Sequence, residues 1–496
     1  MKKTTRNIFV MLLILLVVGG GAAFLLLTPP AEESHTEGGS SSSDTSSVSE
    51  ASAPETVMAR EDETVKSITV ENEAGTYNLV PYKDETGTIA YAVEGLENYN
   101  IDTAISSAAA RSILELSAVK TLEPQDDLAQ FGLLGKGNST ITVNYNNGTE
   151  SNTLILGDTA AETYGNYVLK DSDDKIYICQ NIDTKLLGSK FDYLSKSVYM
   201  IENLPPEVEG GEVPADILKN VTIKSTAAGD KPIEIKYDTS NISPYLMTSP
   251  VKTLSVSERF DNVMLNLEIL TADSIVAVKY TDKDLEEYGL KEPDAEVDFT
   301  LNNETHSIKV SEKTAENQRY AIVDDTGIIY LLRNDAVSAW AEATAMDLRT
   351  PYLWLPNIID VKKLTVTNGK DNVVFNVTRT KNEETSTEEN PIYDLTVENA
   401  DKLSIDYDHY QKLYMALISL PVLNSTEVPY EKAEPVLSHR FDYINGESDE
   451  FVFYKIKDAD RYAVEFNGEF CAVVRKSSID EFVPKIDLAN SNTAIS

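Results

Sequence analysis

Apolar and polar residues alternate in many short runs beyond about residue 65. The run Ile233–Tyr237, with the sequence IEIKY, is typical, because every second side chain is apolar. Successive side chains of a β-strand point to opposite faces, so this period predicts a strand with one buried and one exposed face. We therefore expect several half-buried sheets.

Amphipathic helices interrupt the predicted strands three times. Apolar residues at positions i, i+3, i+4 and i+7 form one stripe along a helix, which can then lie on a core. The first stripe is weak and the other two are clear; their members are Ile105, Ala109, Ile113 and Leu116, then Phe260, Val263, Met264 and Leu267, then Tyr410, Leu413, Tyr414 and Leu417. This mixture of strands and helices predicts an α+β fold.

Two sequence markers recur at nearly constant intervals. The first opens a strand pattern at Ile68, Val221 and Leu364, at intervals of 153 and 143 residues. The second is a tyrosine before an apolar run, at Tyr167, Tyr320 and Tyr462, at intervals of 153 and 142 residues. Two independent markers with one period indicate a repeated module. We predict three degenerate copies, at residues 65–205, 206–360 and 361–496, the last being the most diverged.

A short motif in the first two modules predicts one helical turn that ends on glycine. The segments Asp126–Leu133 and Lys283–Leu290 end in Phe-Gly-Leu and Tyr-Gly-Leu. Acidic residues suit the positive end of such a turn, and glycine suits its left-handed C-cap. The aromatic residue and the leucine should fold back onto the module. The third module lacks this glycine at Ala433–Val436.

The second half of each module is predicted to be a four-stranded meander that closes on a short helix. Asn-Gly pairs favour hairpins because both residues tolerate positive φ. The predicted turns lie at residues 146–148 and 171–174, at 302–304 and 324–327, and at 444–446 and 466–468. In the third module the closing helix is expected at Ser477–Val483, with a serine as its N-cap.

The N-terminus carries the pattern of a membrane anchor. Lys2, Lys3 and Arg6 precede an apolar run from Ile8 to Leu27. Twenty helical residues span the hydrocarbon core, and the basic flank favours the cytoplasmic side. We therefore expect residues 1–28 to be a cytoplasmic tip and transmembrane signal anchor, with the remaining chain extracytoplasmic. A cleaved signal peptide, with small residues at 19–23, is the alternative.

Residues 29–64 are predicted to be a disordered tether. They are rich in Ser, Glu, Thr and Ala, and include four consecutive serines at 40–43. Such a segment buries too little apolar surface to offset its ordering entropy. A flexible chain of this length has an r.m.s. reach of roughly 30–35 Å.

Charge and cysteine content exclude several classes of protein. The 81 acidic and 43 basic residues give a formal charge of -38. Nucleic acids and anionic headgroups require a basic surface, so binding to nucleic acid is not expected. Only two cysteines are present, Cys179 and Cys471, both within apolar runs. We interpret them as small buried side chains, with a disulfide as the alternative.

No pattern of catalytic or metal-binding residues emerges from the sequence. The four histidines, His35, His306, His409 and His439, form no metal or catalytic motif, and His306 and His439 are expected to be exposed on strands. Ser117 to Lys120 fits the SxxK pattern but lacks its companion motifs, and we interpret it as the tail of a packed helix. The acidic clusters at 171–174 and 324–325 suggest solvated turns, with calcium binding as the alternative. We therefore predict no catalytic, cofactor-binding or metal-binding residues.

Several of these motifs together resemble a bacterial family catalogued as domain of unknown function 4340. The features that match are Phe131-Gly132-Leu133, Tyr288-Gly289-Leu290, Leu154–Asp158, Tyr167 and the strand Ile176–Ile178. The likeness covers residues 65–350 well and the rest weakly. It implies a bacterial envelope protein, and relatives of this kind are linked with ABC-type transport systems, including gliding-motility auxiliary components. It carries over no catalytic residues.

Two function classes remain at this point. The first is a non-enzymatic, extracytoplasmic binding or scaffold protein of the bacterial envelope, accessory to an ABC-type transport system. Repetition favours it, because divergent copies multiply surface without one shared pocket. The second is an envelope hydrolase or transferase with a cryptic carboxylate site. The expected partners are the membrane, through residues 8–27, and envelope or transporter proteins.

Overall fold

Three nine-stranded antiparallel sheets contain most of the β-strands of the described chain. The structure is a computed structural model, and it describes residues 54–495 except 100, 102, 147, 149, 162–164, 172, 201–217, 239–242, 302, 370, 383, 385, 387–391 and 425. The predicted membrane anchor, most of the predicted tether and His35 lie outside the described residues. The α+β class is confirmed, since seven α-helices accompany the sheets in the described part.

The elements are numbered in chain order. Sheet 1 contains β1 Glu55–Ala59, β2 Val65–Asn72, β3 Gly75–Lys83, β4 Ile89–Val93, β5 Glu115–Leu122, β6 Ser139–Tyr145, β7 Ser151–Ala160, β8 Gly165–Lys170 and β9 Ile176–Cys179. Sheet 2 contains β11 Leu218–Ser225, β12 Ile233–Tyr237, β13 Tyr245–Ser249, β14 Thr253–Leu254, β16 Ser274–Val278, β17 Ala295–Leu301, β18 Glu304–Val310, β19 Gln318–Val323 and β20 Ile328–Arg333. Sheet 3 contains β21 Val361–Asn368, β22 Asp371–Lys381, β23 Tyr393–Asn399, β24 Ser404–Ile405, β25 Val422–Asn424, β26 Leu437–Tyr443, β27 Ser448–Lys455, β28 Arg461–Phe466 and β29 Glu469–Arg475.

The remaining elements are a strand pair and the helices. The two-stranded sheet joins β10 Ser197–Met200 to β15 Ile269–Thr271. The helices are α1 Thr103–Leu114, α2 Glu258–Glu268, α3 Asp282–Glu287, α4 Ser338–Ala341, α5 Ala345–Leu348, α6 Tyr407–Ile418 and α7 Lys476–Asn490.

The three large sheets share one strand order except at their edges, where sheet 1 has β1 and sheets 2 and 3 have β14 and β24. Their strand orders are β4-β3-β2-β6-β7-β8-β9-β5-β1, β14-β13-β12-β11-β17-β18-β19-β20-β16 and β24-β23-β22-β21-β26-β27-β28-β29-β25. In each, an opening meander pairs through its first strand with a later four-stranded meander. In modules 1 and 3 the strand after the main helix, β5 or β25, pairs with the last strand of that meander. In module 2, β15 follows the helix and pairs with β10, and β16 pairs with the last strand of the meander. Helices α1, α2 and α6 therefore occupy the same place in the connectivity of the three modules.

Equivalent hydrogen bonds join the two hairpins of each later meander. The backbone N–H groups of Asp171, Asp324 and Asn467 donate to the carbonyls of Thr153, Ser307 and Glu450, at 3.0, 2.9 and 2.8 Å. In return, each side chain accepts from the N–H of the same partner residue, at 3.2, 2.7 and 2.8 Å. Tyr167, Tyr320 and Tyr462 also lie on equivalent strands, β8, β19 and β28, as predicted.

Helices α2 and α6 confirm the predicted apolar stripes. Phe260, Val263 and Leu267 are buried in α2, with Met264 packed against the same core, and all four stripe residues of α6 are buried. Both helices begin at a capping side chain: Ser257 accepts from the N–H of Phe260, and Asp406 from that of Asp408. These caps satisfy N–H groups that the helix itself leaves unpaired.

The first predicted helix extends too far. Helix α1 ends at Leu114, and Leu116 lies in β5, whose residues begin to alternate between buried and exposed at this point. The helix also buries two serines. Ser107 Oγ accepts from the N–H of Tyr91 at 3.1 Å, and Ser106 Oγ donates to the carbonyl of Tyr91 at 2.5 Å. These bonds satisfy the edge of β4, where sheets 2 and 3 have an additional short strand.

The predicted tether, residues 29–64, is wrong at its C-terminal end. Residues 55–59 form β1, which pairs antiparallel with β5, and Asp62–Thr64 form a 3₁₀ turn. Val57 and Met58 are buried at 3% and 4% exposure, and this burial supplies the stabilisation that the polar tether lacks. The connectors before sheets 2 and 3 also form β-pairings. β10 pairs with β15, and Tyr352 pairs with Pro421 beside β25.

The closing helix of the third module also differs from its prediction. It runs for fifteen residues, from Lys476 to Asn490, and its N-cap is Arg475, which makes no capping hydrogen bond with its side chain. Ser477 and Ser478 lie inside the first turn, so the predicted serine N-cap is wrong. The helix extends beyond the prediction because Ile486 and Ala489 continue its buried face.

The buried apolar side chains of the described residues form two separate cores. One core contains residues from both sheets 1 and 2, and the other contains sheet 3 with Leu254 from sheet 2. The compact unit formed from Pro54 onward therefore joins a two-sheet body to a third sheet. No helix in the described part of the chain has both the length and the apolar character needed to cross a membrane.

Candidate functional site

The aromatic-Gly-Leu motifs have a structural role. Gly132 and Gly289 both have φ +67°, and each follows a helical turn as its left-handed cap, as predicted. Phe131 packs edge-on against Tyr167 with ring centroids 4.9 Å apart, and Tyr288 packs against Tyr320 at 4.7 Å. The leucines, Leu133 and Leu290, are buried. The turn thus packs on the tyrosine marker of its module.

The Leu-Gly-Asp segment of module 1 fits beneath this turn. A Cβ atom on Gly157 would lie 2.3 Å from the carbonyl oxygen of Phe131, so no larger residue fits there. In module 2 the residue opposite Gly289 is Ser311, and a Cβ atom on Gly289 would meet the Ser311 Cβ at 3.6 Å. The family-like motifs therefore fix packing between a turn and a strand. They contribute no chemical site.

The third module lacks the aromatic-Gly-Leu turn and packs a different aromatic residue in the corresponding region. Tyr430 packs against Tyr454 and Phe470, with centroids 5.7 and 6.1 Å away. Its hydroxyl donates to Glu465 Oε1 at 2.5 Å, and Lys432 pairs with the same oxygen at 2.6 Å. Burial and the nearby carboxylate raise the pKa of Tyr430, so its hydroxyl remains a hydrogen-bond donor.

The SxxK residues lie on a strand. Ser117 and Lys120 belong to β5, so the predicted helix tail is wrong. Both side chains are exposed, and Ser117 is paired across the strand with Thr56. A nucleophilic serine requires an adjacent base held in a fixed position, and this exposed strand provides no such pocket.

The three histidines in the described part of the chain lie on separate elements. His306 Nδ1 lies 2.9 Å from Asp324 Oδ2 on the surface of sheet 2, and His409 Nδ1 lies 3.0 Å from Asn492 Oδ1. The expectation that His439 is exposed is wrong, because it is 3% exposed and stacks on Phe451 at 4.8 Å. Burial lowers the pKa of His439 to about 3, so the ring is neutral at ordinary pH.

In the acidic turns, carboxylates accept hydrogen bonds from backbone N–H groups. Asp171 and Asp324 cap the neighbouring hairpins, as described above. No group of three or more His, Cys, Asp or Glu side chains suitable for a metal ion occurs among the described residues. The two cysteines are both buried and free, as predicted, and burial raises the pKa of each thiol to about 12.

A cleft lined mainly by polar residues lies between sheets 2 and 3. Its volume is about 460 Å³, within the usual range for ligand sites. Sheet 2 contributes Asp238 and Lys252, and the connector to sheet 3 contributes Trp354 and Asp360. The β26–β27 hairpin completes the lining with Tyr443, Glu447 and Asp449.

Asp449 is a largely buried, hydrogen-bonded carboxylate of this junction cleft. It is 9% exposed, its Oδ2 accepts from the Tyr443 hydroxyl at 2.8 Å, and its Oδ1 accepts from Asn467 Nδ2 at 3.1 Å. Burial and the charge of Asp449 raise the pKa of Tyr443, which therefore stays protonated and donates. The pair is suited to binding.

Lys252 reaches from sheet 2 across this cleft. Its Nζ lies 4.0 Å from Asp449 Oδ1, 4.7 Å from the centre of the Phe466 ring and 5.8 Å from that of Trp354. The lysine side chain is 44% exposed, so water screens this contact and its contribution is modest. An ammonium between a carboxylate and aromatic faces is a recognised cation-binding geometry.

Aromatic rings form a ladder behind the cleft. Trp354 packs on Phe466 at 4.9 Å, Phe466 stacks on Phe451 at 4.5 Å, and Phe451 stacks on His439 at 4.8 Å. Phe466, Phe451 and His439 are cross-strand neighbours on β28, β27 and β26. The corresponding neighbours in sheet 2 are Val323, Ile308 and Val297, so this ladder distinguishes module 3 from module 2.

The sequence did not indicate this site. Lys252 and Asp449 are almost two hundred residues apart, and no local motif joins them. The dense aromatic residues between Phe441 and Phe470 were the one usable signal. The cleft depends on how module 3 sits against module 2, which periodicity cannot specify.

Comparison with known proteins gives one family. The family described as Domain of unknown function (DUF4340) matches residues 92–276 and 247–437. The matches begin at 92 and 247, an interval of 155 residues, which is close to the period of the sequence markers. Each match starts in the third strand of one module, β4 or β13, and runs into the next module. Neither a protein of curated function nor a solved structure matches the chain.

Proposed function

Because the chain belongs to the family Domain of unknown function (DUF4340), we propose that it works as a non-enzymatic binding or scaffold protein of the bacterial cell envelope. Its site is the junction cleft between sheets 2 and 3. Its partner is an envelope protein, and a component of an ABC-type transport system is the favoured candidate.

The observation that carries this proposal is the composition of the junction cleft. Its lining draws on both modules, and it presents carboxylates, amides and one ammonium around an aromatic wall. Among the described lining residues there is no serine, cysteine or histidine to serve as nucleophile or base. Such a surface supports recognition by shape and charge, which is what a scaffold requires.

The proposal places the module body beside the membrane. The apolar run from Ile8 to Leu27 and the basic residues before it support a single anchor with the remaining chain outside the cell. The polar segment that follows supports a flexible connection. Tethering raises the effective concentration of the body near a membrane partner, so a modest intrinsic affinity suffices.

In vivo photo-cross-linking tests this function. A photoreactive amino acid replaces the exposed Asn445 at the cleft, and a matched variant carries it at the exposed Lys283 of α3. Illumination of intact cells should give a discrete envelope-protein adduct from position 445 and none from position 283. Identical adducts at both positions, or none at either, would reject the junction cleft as the partner site.

A loss-of-function comparison separates binding from catalysis. Replacing Ser117 by alanine should leave the cross-link at 445 unchanged. If purified protein instead hydrolyses a wall or lipid substrate, and a single substitution of an acid or serine abolishes that hydrolysis, the enzyme class is correct.

A further inference from the structure

An ammonium group already occupies part of the junction cleft. Lys252 enters from sheet 2 and ends between the Phe466 ring, at 4.7 Å, and the largely buried carboxylate of Asp449, at 4.0 Å. Asp449 is held from behind by Tyr443 and Asn467, so its position does not depend on the lysine. The lysine side chain is 44% exposed, so water already reaches part of it.

The corresponding position of module 1 shows the same chemistry. Its pocket of about 590 Å³ is lined by Arg60, Glu61, Glu63, Tyr145 and Glu150. The Arg60 guanidinium lies 5.1 Å from the centre of the Tyr145 ring. As in the junction cleft, a basic side chain lies near an aromatic ring in a pocket that carboxylates also line.

The two pockets are equivalent in the fold. The N–H groups of Asn146 and Ile444 donate to the carbonyls of Thr64 and Asp360, both at 2.9 Å. The hydroxyl of Tyr145 donates to Asn152 at 2.7 Å, as that of Tyr443 donates to Asp449. Two copies of one pocket that each hold a cationic side chain indicate a preference of the pocket itself.

The negative charge of the carboxylates that line the junction cleft exceeds the positive charge of Lys252. Asp360, Glu447 and Asp449 line it, with Lys252 as the one ammonium among the described lining residues. Arg379 approaches Asp360 at 3.6 Å from outside this lining. A second cationic group would therefore enter a favourable potential.

We propose that the junction cleft receives a lysine or arginine side chain from a basic segment of the partner protein, and that Lys252 is a resident competitor for the same position. The inference rests on the proposed binding function and specifies the chemistry of its partner. When the partner side chain binds, the Lys252 ammonium moves into solvent, and the incoming cation takes its contacts with Asp449 and Phe466.

Calorimetric titration with a synthetic peptide tests this proposal. The probe is an acetylated and amidated peptide of four lysines, titrated into the full-length protein at about 0.15 M salt, where long-range attraction is screened. Lys252→Met should tighten binding by about three- to tenfold, since one cation–π contact and one exposed ion pair no longer compete. Asp449→Asn should weaken binding by about as much.

Matched variants separate the cleft from the general negative charge of the protein. Lys283→Met and Asp325→Asn change exposed residues elsewhere and make the same changes in net charge. Asparagine is already present at the Asp449 position in module 1, as Asn152, so the fold accommodates it. Equal thermal midpoints for Asp449→Asn and the unsubstituted protein would establish this.

The outcomes are distinct. If Lys252→Met and Lys283→Met tighten the peptide equally, or if Asp449→Asn weakens it no more than Asp325→Asn does, the proposal is rejected. Tighter binding of a neutral oligosaccharide than of the lysine peptide would also reject it. A cross-link at position 445 that survives such results would retain the binding function and reject only its ligand class.

Discussion

Several buried polar residues in the described part of the chain take their hydrogen-bond partners from distant elements. The Arg319 guanidinium, 1% exposed, donates to Asn334 at 2.7 Å, to Asp294 at 2.7 Å and to the carbonyl of Ser311 at 2.6 Å. Its Nη2 also reaches Glu342 at 3.3 Å. Removing one member of such a network leaves a buried charge unpaired, which costs about 3–5 kcal/mol. Arg319 therefore fixes the end of sheet 2 to the connector that follows it.

His439 makes the stability of sheet 3 depend on pH. Its folded pKa of about 3 lies below the ordinary value of 6.5, so between these values the unfolded chain binds a proton that the folded chain does not. Its contribution is constant above pH 6.5 and falls as the pH decreases towards 3. Between pH 7 and pH 5 the free energy of unfolding should drop by about 2 kcal/mol more than in His439→Leu.

Urea unfolding at the two pH values checks this expectation. His409→Leu, which changes a histidine outside the aromatic ladder, is the matched control and should keep the full loss. An equal pH dependence in His439→Leu and the unsubstituted protein would show that the ring is not the responsible group.

At the scale of elements, the aromatic-Gly-Leu turn occurs in two modules, but its glycine is constrained differently in each. The turns before β6 and β17 both end on glycine at φ +67°. Beyond Gly132 the backbone of Asp158 approaches closely, with its nitrogen 2.7 Å from the position of a Cβ atom. Beyond Gly289 only the Ser311 Cβ lies nearby, at 3.6 Å. The first glycine is required by conformation and by space, and the second by conformation alone.

Alanine at these two positions should therefore have unequal effects. Gly289→Ala carries the left-handed strain alone, about 1–2 kcal/mol. Gly132→Ala adds an overlap with the Asp158 backbone, for a total loss larger by about 1–3 kcal/mol. The free energies of unfolding of the two variants, from urea titration, provide the comparison. Equal losses would contradict the close approach at Gly132.

At the scale of the whole molecule, the three sheets contribute unequally to the two apolar cores. Sheets 1 and 2 contribute to one apolar core, while sheet 3 has its own apart from Leu254. Arg349 joins the two bodies, donating to the carbonyl of Cys471 at 3.0 Å and to that of Thr350 at 3.2 Å. Burial lowers the pKa of Arg349 to about 10, yet the group stays charged near neutrality.

Thermal unfolding should consequently show two transitions. Phe451→Ala, in the ladder of sheet 3, should lower one midpoint, and Phe299→Ala, in the core of sheet 2, should lower the other. Each buried phenylalanine is expected to contribute about 3–5 kcal/mol. Differential scanning calorimetry resolves the two cases. If both variants shift a single transition, the two cores unfold as one unit.

Several features of the fold followed from the sequence because their causes are local. The stripes of α2 and α6, the glycine caps and the hairpin turns depend on residues within one turn or one strand pair. The period of the markers, repeated in the strand orders, follows from duplication of such local patterns. Helix α1 was predicted too long because Leu116 fits both a helical stripe and the alternation of β5. Only its strand partners, β1 and β9, decide between them.

The junction cleft was decided by tertiary structure alone. Lys252, Trp354 and Asp449 come from three separate elements, and none is unusual in its own segment. They meet because the connector after sheet 2 pairs beside β25 and brings sheet 3 against Lys252. The helices and strands of each module follow from its own sequence, since each copy forms them from its own residues. The structure decided the site, because its residues become neighbours only when two modules pack together.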